Sequence, residues 1–142
     1  MVCVPPGGGP HPISVEELLE LILRHTPDPL MLETEDSRFL VVNEALARHY
    51  GQSRDAMVGV RERDIAGANP EEVAAFEADT RRIACGTAPE VVVERATRID
   101  GGPTRTYRSV KAPVSTARGE RLALIVTQDI SDLEATLEQL TH

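Results

Sequence analysis

The chain is poor in aromatic residues and in lysine. Among its 142 residues it has no Trp, two Phe and two Tyr, and Lys111 is its one lysine. So few rings offer little surface for stacking on bases. The net charge of −8 also opposes the phosphate backbone that a nucleic-acid-binding protein must neutralise. These shortages argue against nucleic acid as a partner, and they leave Val, Leu, Ile and Ala to build the core.

Long hydrophobic runs are also missing. No apolar stretch approaches the roughly 18 residues of a membrane span, and no basic segment precedes an apolar one as in a signal peptide. The two cysteines, Cys3 and Cys85, favour free thiols in a reducing compartment, since no secretion signal accompanies them. We therefore expect a cytoplasmic domain with no membrane span. Residues 1–12 contain four Pro and three Gly and are predicted to be a flexible leader.

The remaining chain alternates between helical and strand patterns. Ser14 and Glu17 form a capping box for a first helix, and Asn69-Pro70-Glu71-Glu72 opens the longest internal helix. Asp100-Gly101-Gly102 is a tight turn between two predicted strands. The predicted order is a helix over 14–24, strands over 30–33 and 39–42, short helices over 44–50, 53–57 and 61–66, a helix from 70 until Gly86, strands over 91–99, 104–112 and 121–128, and a helix from 131.

The junction near the C-terminus is the most informative segment. Leu122 to Val126 is an aliphatic run typical of a buried strand. Ser131 lies three residues before Glu134, the spacing of a capping box. The strand is therefore predicted to pass almost directly into a helix, whose leucines at 4-then-3 spacing indicate a paired signalling helix: Leu133, Leu137 and Leu140.

This order and its punctuation resemble the PAS (Per-Arnt-Sim) sensory domain over about Ser14 to Leu140. The matching motifs are Pro27-Asp28-Pro29, Phe39-Leu40-Val41-Val42-Asn43, Tyr50-Gly51-Gln52-Ser53, Met57-Val58-Gly59, Gly86-Thr87-Ala88-Pro89, Asp100-Gly101-Gly102, Tyr107, Lys111-Ala112-Pro113-Val114 and Asp129-Ile130-Ser131. The resemblance implies an α+β fold, with a five-stranded antiparallel sheet in the order 2-1-5-4-3 and helices on one face. Residues 13–130 would form the PAS domain with its N-terminal helix, and 131–142 the start of a C-terminal signalling helix.

The resemblance also implies site residues. Asp129, Ile130 and Ser131 would couple the last strand to the signalling helix. Homodimerisation would use the flanking helices through Leu18, Leu19, Ile22, Leu133, Leu137 and Leu140. A small-molecule pocket would be lined by Met31, Met57, Phe76, Ile83, Val92, Tyr107 and Ile125, although these side chains can equally well fill an ordinary core.

Cofactor and catalytic chemistry find little support in the sequence. The resemblance implies a Cys before the long helix for covalent flavin or another covalent chromophore, and a His within that helix for haem. Residues 64–69 contain no Cys, and 70–86 contain no His. His25 and His49 are isolated, so no metal site is predicted. No catalytic constellation is recognisable, so we expect a non-enzymatic domain with an unknown ligand.

The sequence pattern predicts that most acidic side chains face solvent. The carboxylates at 33, 35, 36, 71, 72, 77 and 79 fall on predicted turns and outer helix faces, where solvation is the simplest interpretation. Arg105 and Arg108 on the fourth strand can meet an anionic ligand, but strand alternation leaves at least one of them facing solvent.

The expected function is that of a sensor and dimerisation domain. Binding of a ligand or partner would be relayed to a downstream output module, a diguanylate cyclase or a histidine kinase of a two-component system. The alternative is a module that binds no small molecule and only mediates protein–protein interaction.

Overall fold

A computed structural model of the chain describes residues 12–65, 69–86, 91–98 and 104–141, with the backbone alone described for 91–98. The predicted leader lies almost wholly outside these residues, as do the Asp100-Gly101-Gly102 turn and Cys3. The elements are α1 (Val15–His25), β1 (Leu30–Thr34), β2 (Phe39–Val42), α2 (Glu44–Tyr50), α3 (Arg54–Met57), the 3-10 turn η1 (Glu62–Asp64), α4 (Pro70–Ala84), β3 (Val91–Arg98), β4 (Thr104–Ser115), β5 (Arg121–Asp129) and α5 (Ser131–Thr141).

The strands form one antiparallel sheet in the order β2-β1-β5-β4-β3. The predicted α+β class is confirmed, and this strand order is the expected one. The fourth strand is longer than predicted, because it runs through Pro113 to Ser115. The short helix predicted over 61–66 is instead the three-residue 3-10 turn η1.

Polar side chains define the ends of most helices, as the sequence indicates. Ser14 Oγ accepts from the backbone N–H of Glu17, and Ser53 Oγ accepts from that of Ala56. Asn43 is fully buried and does more than cap α2. Its Oδ1 accepts from the N–H groups of Leu46 and Leu30, both at 3.0 Å. One side chain therefore fixes the start of both a helix and a strand.

One face of the sheet carries the core and is covered by α2, α3 and α4. The register places Met31 opposite Ile125, and Ile125 opposite Lys111. Strand alternation then puts Glu33, opposite Ala123, on the same covered face. A shift in the β1–β2 register beside Glu33 lets Phe39, fully buried, pair with it.

The other face of the sheet is apolar and only partly buried. Four apolar side chains alternate with the core residues and keep intermediate exposure: Leu32, Val41, Leu124 and Val126.

Among the described residues, every helix is too short or too polar to span a membrane.

Candidate functional site

Asp129, the last residue of β5, joins three elements. Its Oδ1 accepts the backbone N–H of Ser131 at 2.9 Å, at the start of α5. Its Oδ2 accepts Nε of Arg105, in β4, at 2.5 Å. The Arg105 guanidinium also lies 4.0 Å from Asp132. One carboxylate thus connects two strands with the first turn of the C-terminal helix.

Ser131 and Ile130 add a second connection to β4. The N–H of Ile130 donates to the carbonyl of Thr106, and the N–H of Thr106 donates to Ser131 Oγ, both at 2.9 Å. Ile130 is buried, and its carbonyl accepts the N–H of Glu134. We call Arg105, Thr106 and Asp129 to Ser131 the β5–α5 joint.

The predicted capping box at this position is wrong. Ser131 is the first helical residue, and its hydroxyl accepts from the strand residue Thr106 instead of capping its own helix. The carboxylate of Asp129, the last residue of β5, accepts the Ser131 N–H instead. The sequence correctly predicted a strand-to-helix transition but misassigned the side chain that starts the helix.

The electrostatics of the joint favour a charged Asp129. Partial burial alone would raise the pKa of this carboxyl, but hydrogen bonds from Arg105 and Ser131 outweigh it and lower the pKa. The sequence left open whether Arg105 or Arg108 meets an anionic ligand, and in the structure the Arg105 guanidinium pairs with the Asp129 carboxylate. Arg108 is exposed, as strand alternation allows.

The predicted dimerisation residues are exposed on both flanking helices. Leu18, Leu19 and Ile22 of α1 keep 46–49% of their surface. Leu133, Leu137 and Leu140 of α5 keep 57%, 53% and 77%. Only Leu23 of α1 is buried, while Glu20 pairs with Arg54 of α3 at 2.5 Å. Both helices therefore present several large apolar side chains to solvent. Large exposed apolar patches are uncommon on monomeric soluble proteins.

The predicted pocket residues are divided between the core and its margin. Met31, Met57, Ile83 and Ile125 belong to one packed cluster with Phe39, and each is at most 7% exposed. Phe76 and Tyr107 are half-buried, and Val92 lies in β3, whose side chains are outside the described residues. A surface groove elsewhere is lined by Thr34, Glu35, Asp36, Arg81, Glu120, Arg121 and Leu122, none of them a predicted pocket residue.

Half-buried aromatic residues form a contact between α2 and β4. The His49 ring meets the Tyr107 ring edge-on, with centroids 5.5 Å apart, and meets Tyr50 at 5.2 Å. His49 is thus packed between two aromatic rings. Within the described residues, no group of three or more His, Cys, Asp or Glu is arranged to hold a metal ion.

The assignment of all the carboxylates to solvent is wrong for three residues. Glu33, Glu77 and Asp79 are 0%, 8% and 7% exposed. Glu62, which the sequence did not single out, is also buried at 5%. The available signal was the spacing in β1: Glu33 lies two residues after Met31, which places the carboxylate on the core face.

Cations lie beside two of these buried carboxylates, Asp79 and Glu77. Lys111, 4% exposed, lies 3.9 Å from Asp79 and 5.2 Å from the centre of the Phe76 ring. Arg63 donates from Nε to Glu77 at 3.0 Å. The single lysine of the chain is therefore a core residue of the helix-covered face.

The sequence model described as PAS fold matches residues 23–135. The chain belongs to the PAS fold family. The resemblance drawn from its motifs is therefore confirmed. No curated protein has a significant sequence match to the chain.

Solved structures agree with this assignment. VqmA of Vibrio cholerae superposes with a TM-score of 0.72 at 18% identity, over 85% of this chain and 53% of that chain. The PAS domain of Bordetella pertussis BvgS gives 0.67 at 20%, over 89% and 96%. A PAS domain of a two-component sensor histidine kinase gives 0.52 at 13%, over 80% and 95%. The chain spans about half of the VqmA chain, and at these identities the likeness shows a shared fold.

Proposed function

We propose that this PAS domain is a non-catalytic cytoplasmic sensor and dimerisation module. It relays the binding of a ligand or partner to a downstream output module, a diguanylate cyclase or a histidine kinase. The observation that carries the proposal is the β5–α5 joint, where hydrogen bonds from two strands fix the first turn of a helix with exposed leucines.

The geometry of the joint supports this relay. A change in the packing of β4 against β5 moves Thr106 and Arg105 relative to Asp129. Because α5 is held by these same residues, its direction or register changes with the sheet. A paired helix can have two registers that differ by a few kcal/mol, so a modest differential affinity biases the choice.

Dimerisation is proposed through the exposed apolar sides of α1 and α5. Six leucine or isoleucine side chains on these helices are about half exposed or more. The leucines of α5 cover only about one and a half heptads, which is too short to pair stably alone. The α1 residues would extend the interface.

The dimer can be tested without knowledge of the ligand. In analytical ultracentrifugation of the whole chain, Leu133→Ser with Leu137→Ser should weaken self-association by at least tenfold. The matched control is Thr136→Ser with Glu138→Gln, at exposed positions of the same helix. Equal dissociation constants for the two double variants would remove α5 from the interface.

Small-molecule sensing is supported by relatives of the same fold. VqmA has been solved bound to DPO and in a ligand–DNA complex. We propose that nucleic acid is not a direct partner of this chain, in keeping with its net charge of −8.

A ligand-free interaction module is the second candidate, and the core packing favours it. Four predicted pocket residues belong to one packed cluster. Native mass spectrometry after gentle purification discriminates the two candidates. A bound ligand mass supports sensing, whereas a dimer of bare chains supports the interaction module.

The relay itself can be tested by disulfide cross-linking. In a background of Cys3→Ser and Cys85→Ser, Leu137→Cys should cross-link two copies through α5. Adding Asp129→Ala should lower the cross-linking yield several-fold, since α5 loses its fixed direction. Glu120→Ala, in an exposed turn, is the control. An unchanged yield with Asp129→Ala would contradict the relay.

A further inference from the structure

Two buried carboxyl groups from different elements meet under the helical cover. Glu33 lies in β1 and Glu62 in η1, with 0% and 5% exposure. The N–H of Glu62 also donates to the carbonyl of Ser37, in the turn after β1, at 2.9 Å. The backbone thus holds η1 against the hairpin and aims its first side chain inward.

The contacts of the two carboxyls leave one oxygen on each without a donor. Glu33 Oε2 accepts the hydroxyl of Thr80, in α4, at 3.2 Å. Glu33 Oε1 and Glu62 Oε2 are buried and have no conventional donor among the described residues. The two side chains are nevertheless within hydrogen-bonding reach of each other. Two carboxylates cannot make that bond, but a carboxylic acid and a carboxylate can, with one proton satisfying both oxygens.

We propose that Glu33 and Glu62 share one proton, and that this shared proton is a pH-sensitive latch that fastens η1 to β1. The latch is closed while the proton is present. Its loss places two like charges side by side in the core and pushes η1 away from β1. This inference concerns the fold itself and holds whether or not the domain binds a ligand.

The charged groups around the pair do not compensate a second negative charge. Lys111 of β4 is the cation that acts on both carboxyls, and it also pairs with Asp79 of α4. Glu77 of α4 adds negative charge near the pair, although it forms ion pairs with Arg63 and Arg61.

Two further polar side chains near the pair, among the described residues, are neutral. The hydroxyl of Ser37 is buried in the same hairpin. Tyr50 of α2 is kept protonated, because burial and the charges of Glu62, Glu33 and Glu72 raise its pKa. A single shared proton therefore fits these surroundings better than two carboxylates.

The direction of the pH effect follows from burial. Burial raises the pKa of Glu33, and burial together with Glu33 raises that of Glu62 well above its usual value. The folded chain then binds one more proton than the unfolded chain between the ordinary and the raised pKa. In that window stability falls as pH rises, and the unfolding equilibrium constant increases about tenfold per pH unit.

Denaturant unfolding of the whole chain between pH 5 and 9 tests the latch. The wild type should lose stability as pH rises. In Glu62→Gln the amide donates to Glu33 without a titrating proton, so this dependence should disappear and the variant should exceed the wild type at pH 8. Glu120→Gln, at an exposed turn, should keep the wild-type profile. Equal pH profiles for wild type and Glu62→Gln would overturn the proposal.

Infrared spectroscopy of the wild type gives a second, independent readout. At pH 7 a protonated carboxyl band that shifts in D₂O should be present, and Glu33→Gln or Glu62→Gln should each remove it. This spectrum keeps the proposal falsifiable if Glu62→Gln does not fold, because Glu33→Gln provides the same comparison. A wild-type spectrum with no such band at pH 7 would show two carboxylates and contradict the shared proton.

Discussion

The β5–α5 joint and the Glu33–Glu62 pair use the same functional group in opposite surroundings. Asp129 is exposed to solvent at the end of β5, and Arg105 and Ser131 lower its pKa despite partial burial. Glu33 and Glu62 are buried and beside each other, and their pKa values are raised. Solvent access and the charge of the nearest partner thus decide whether a carboxyl holds a charge or a proton.

The two regions also differ in what they fasten. The joint connects the sheet to a helix that lies largely in solvent, so its loss changes the direction of α5 and little else. The buried pair connects the sheet to η1 and α4, so its loss reaches the core. We expect substitutions in the core to change global stability and those in the joint to change local order.

The largest expected effect comes from Lys111→Met. Removing this buried cation takes a positive neighbour away from both Glu33 and Asp79, although Arg82 still pairs with Asp79. The free energy of unfolding at pH 7 should fall by about 3–5 kcal/mol, as measured by urea denaturation. Arg118→Met, at an exposed turn, is the matched control and should change stability by less than about 0.5 kcal/mol. A loss below about 1 kcal/mol for Lys111→Met would show that Lys111 does not compensate the buried carboxylates.

A smaller effect is expected for Thr80→Val. The substitution keeps the shape of the side chain but removes the hydroxyl that donates to Glu33 Oε2. Leaving this buried oxygen without a donor should lower the free energy of unfolding by about 1–3 kcal/mol. Thr136→Val, whose hydroxyl bonds the backbone of its own exposed helix, should lose much less. Equal losses for the two variants would argue against a structural role for the Thr80 bond.

Asp129→Asn should have the smallest effect on global stability. The ion pair with Arg105 is exposed, and such pairs contribute up to about 1 kcal/mol. The midpoint of thermal unfolding should therefore barely change, while the joint loses the negative charge that pairs with Arg105. A loss of several kcal/mol would mean that the joint belongs to the core and not to a separate relay.

The pH dependence of the joint should be opposite in sign to that of the buried pair. The pKa of Asp129 is lowered, so its contribution is fully present above the ordinary value near 3.9 and is lost as pH falls through the lowered value. Nuclear magnetic resonance of the Ser131 and Thr106 amides should report this release below about pH 4. Release of these amides at alkaline pH instead would contradict the assignment.

The parts of the fold that could be predicted from the sequence are those set by local chemistry. Asn43, Ser53 and Asn69 cap helices where the pattern indicates, because a capping side chain bonds within its own turn. Long-range pairing was less accessible. The bond between Ser131 and Thr106 spans 25 residues, and no local pattern distinguishes it from a capping box.

The buried carboxylates were missed for a similar reason. On α4, acidic residues at helical spacing are typical of a solvated face, yet Glu77 and Asp79 are turned toward η1 and β4. Only the sheet register, which brings Glu33 and Lys111 to the same face, explains why these charges are tolerated there. In β1, the two-residue spacing between Met31 and Glu33 indicated part of this arrangement, because residues two apart in a strand share a face.

Hydrogen–deuterium exchange of the whole chain, comparing wild type with Asp129→Ala, tests the central claim most directly. If the β5–α5 joint fixes α5, the amides of 131–141 and those of Thr106 and Ile130 should exchange faster in the variant than in the wild type. Exchange of residues 122–126 should not change. Unaltered exchange in α5, or equal acceleration across the whole sheet, would contradict it.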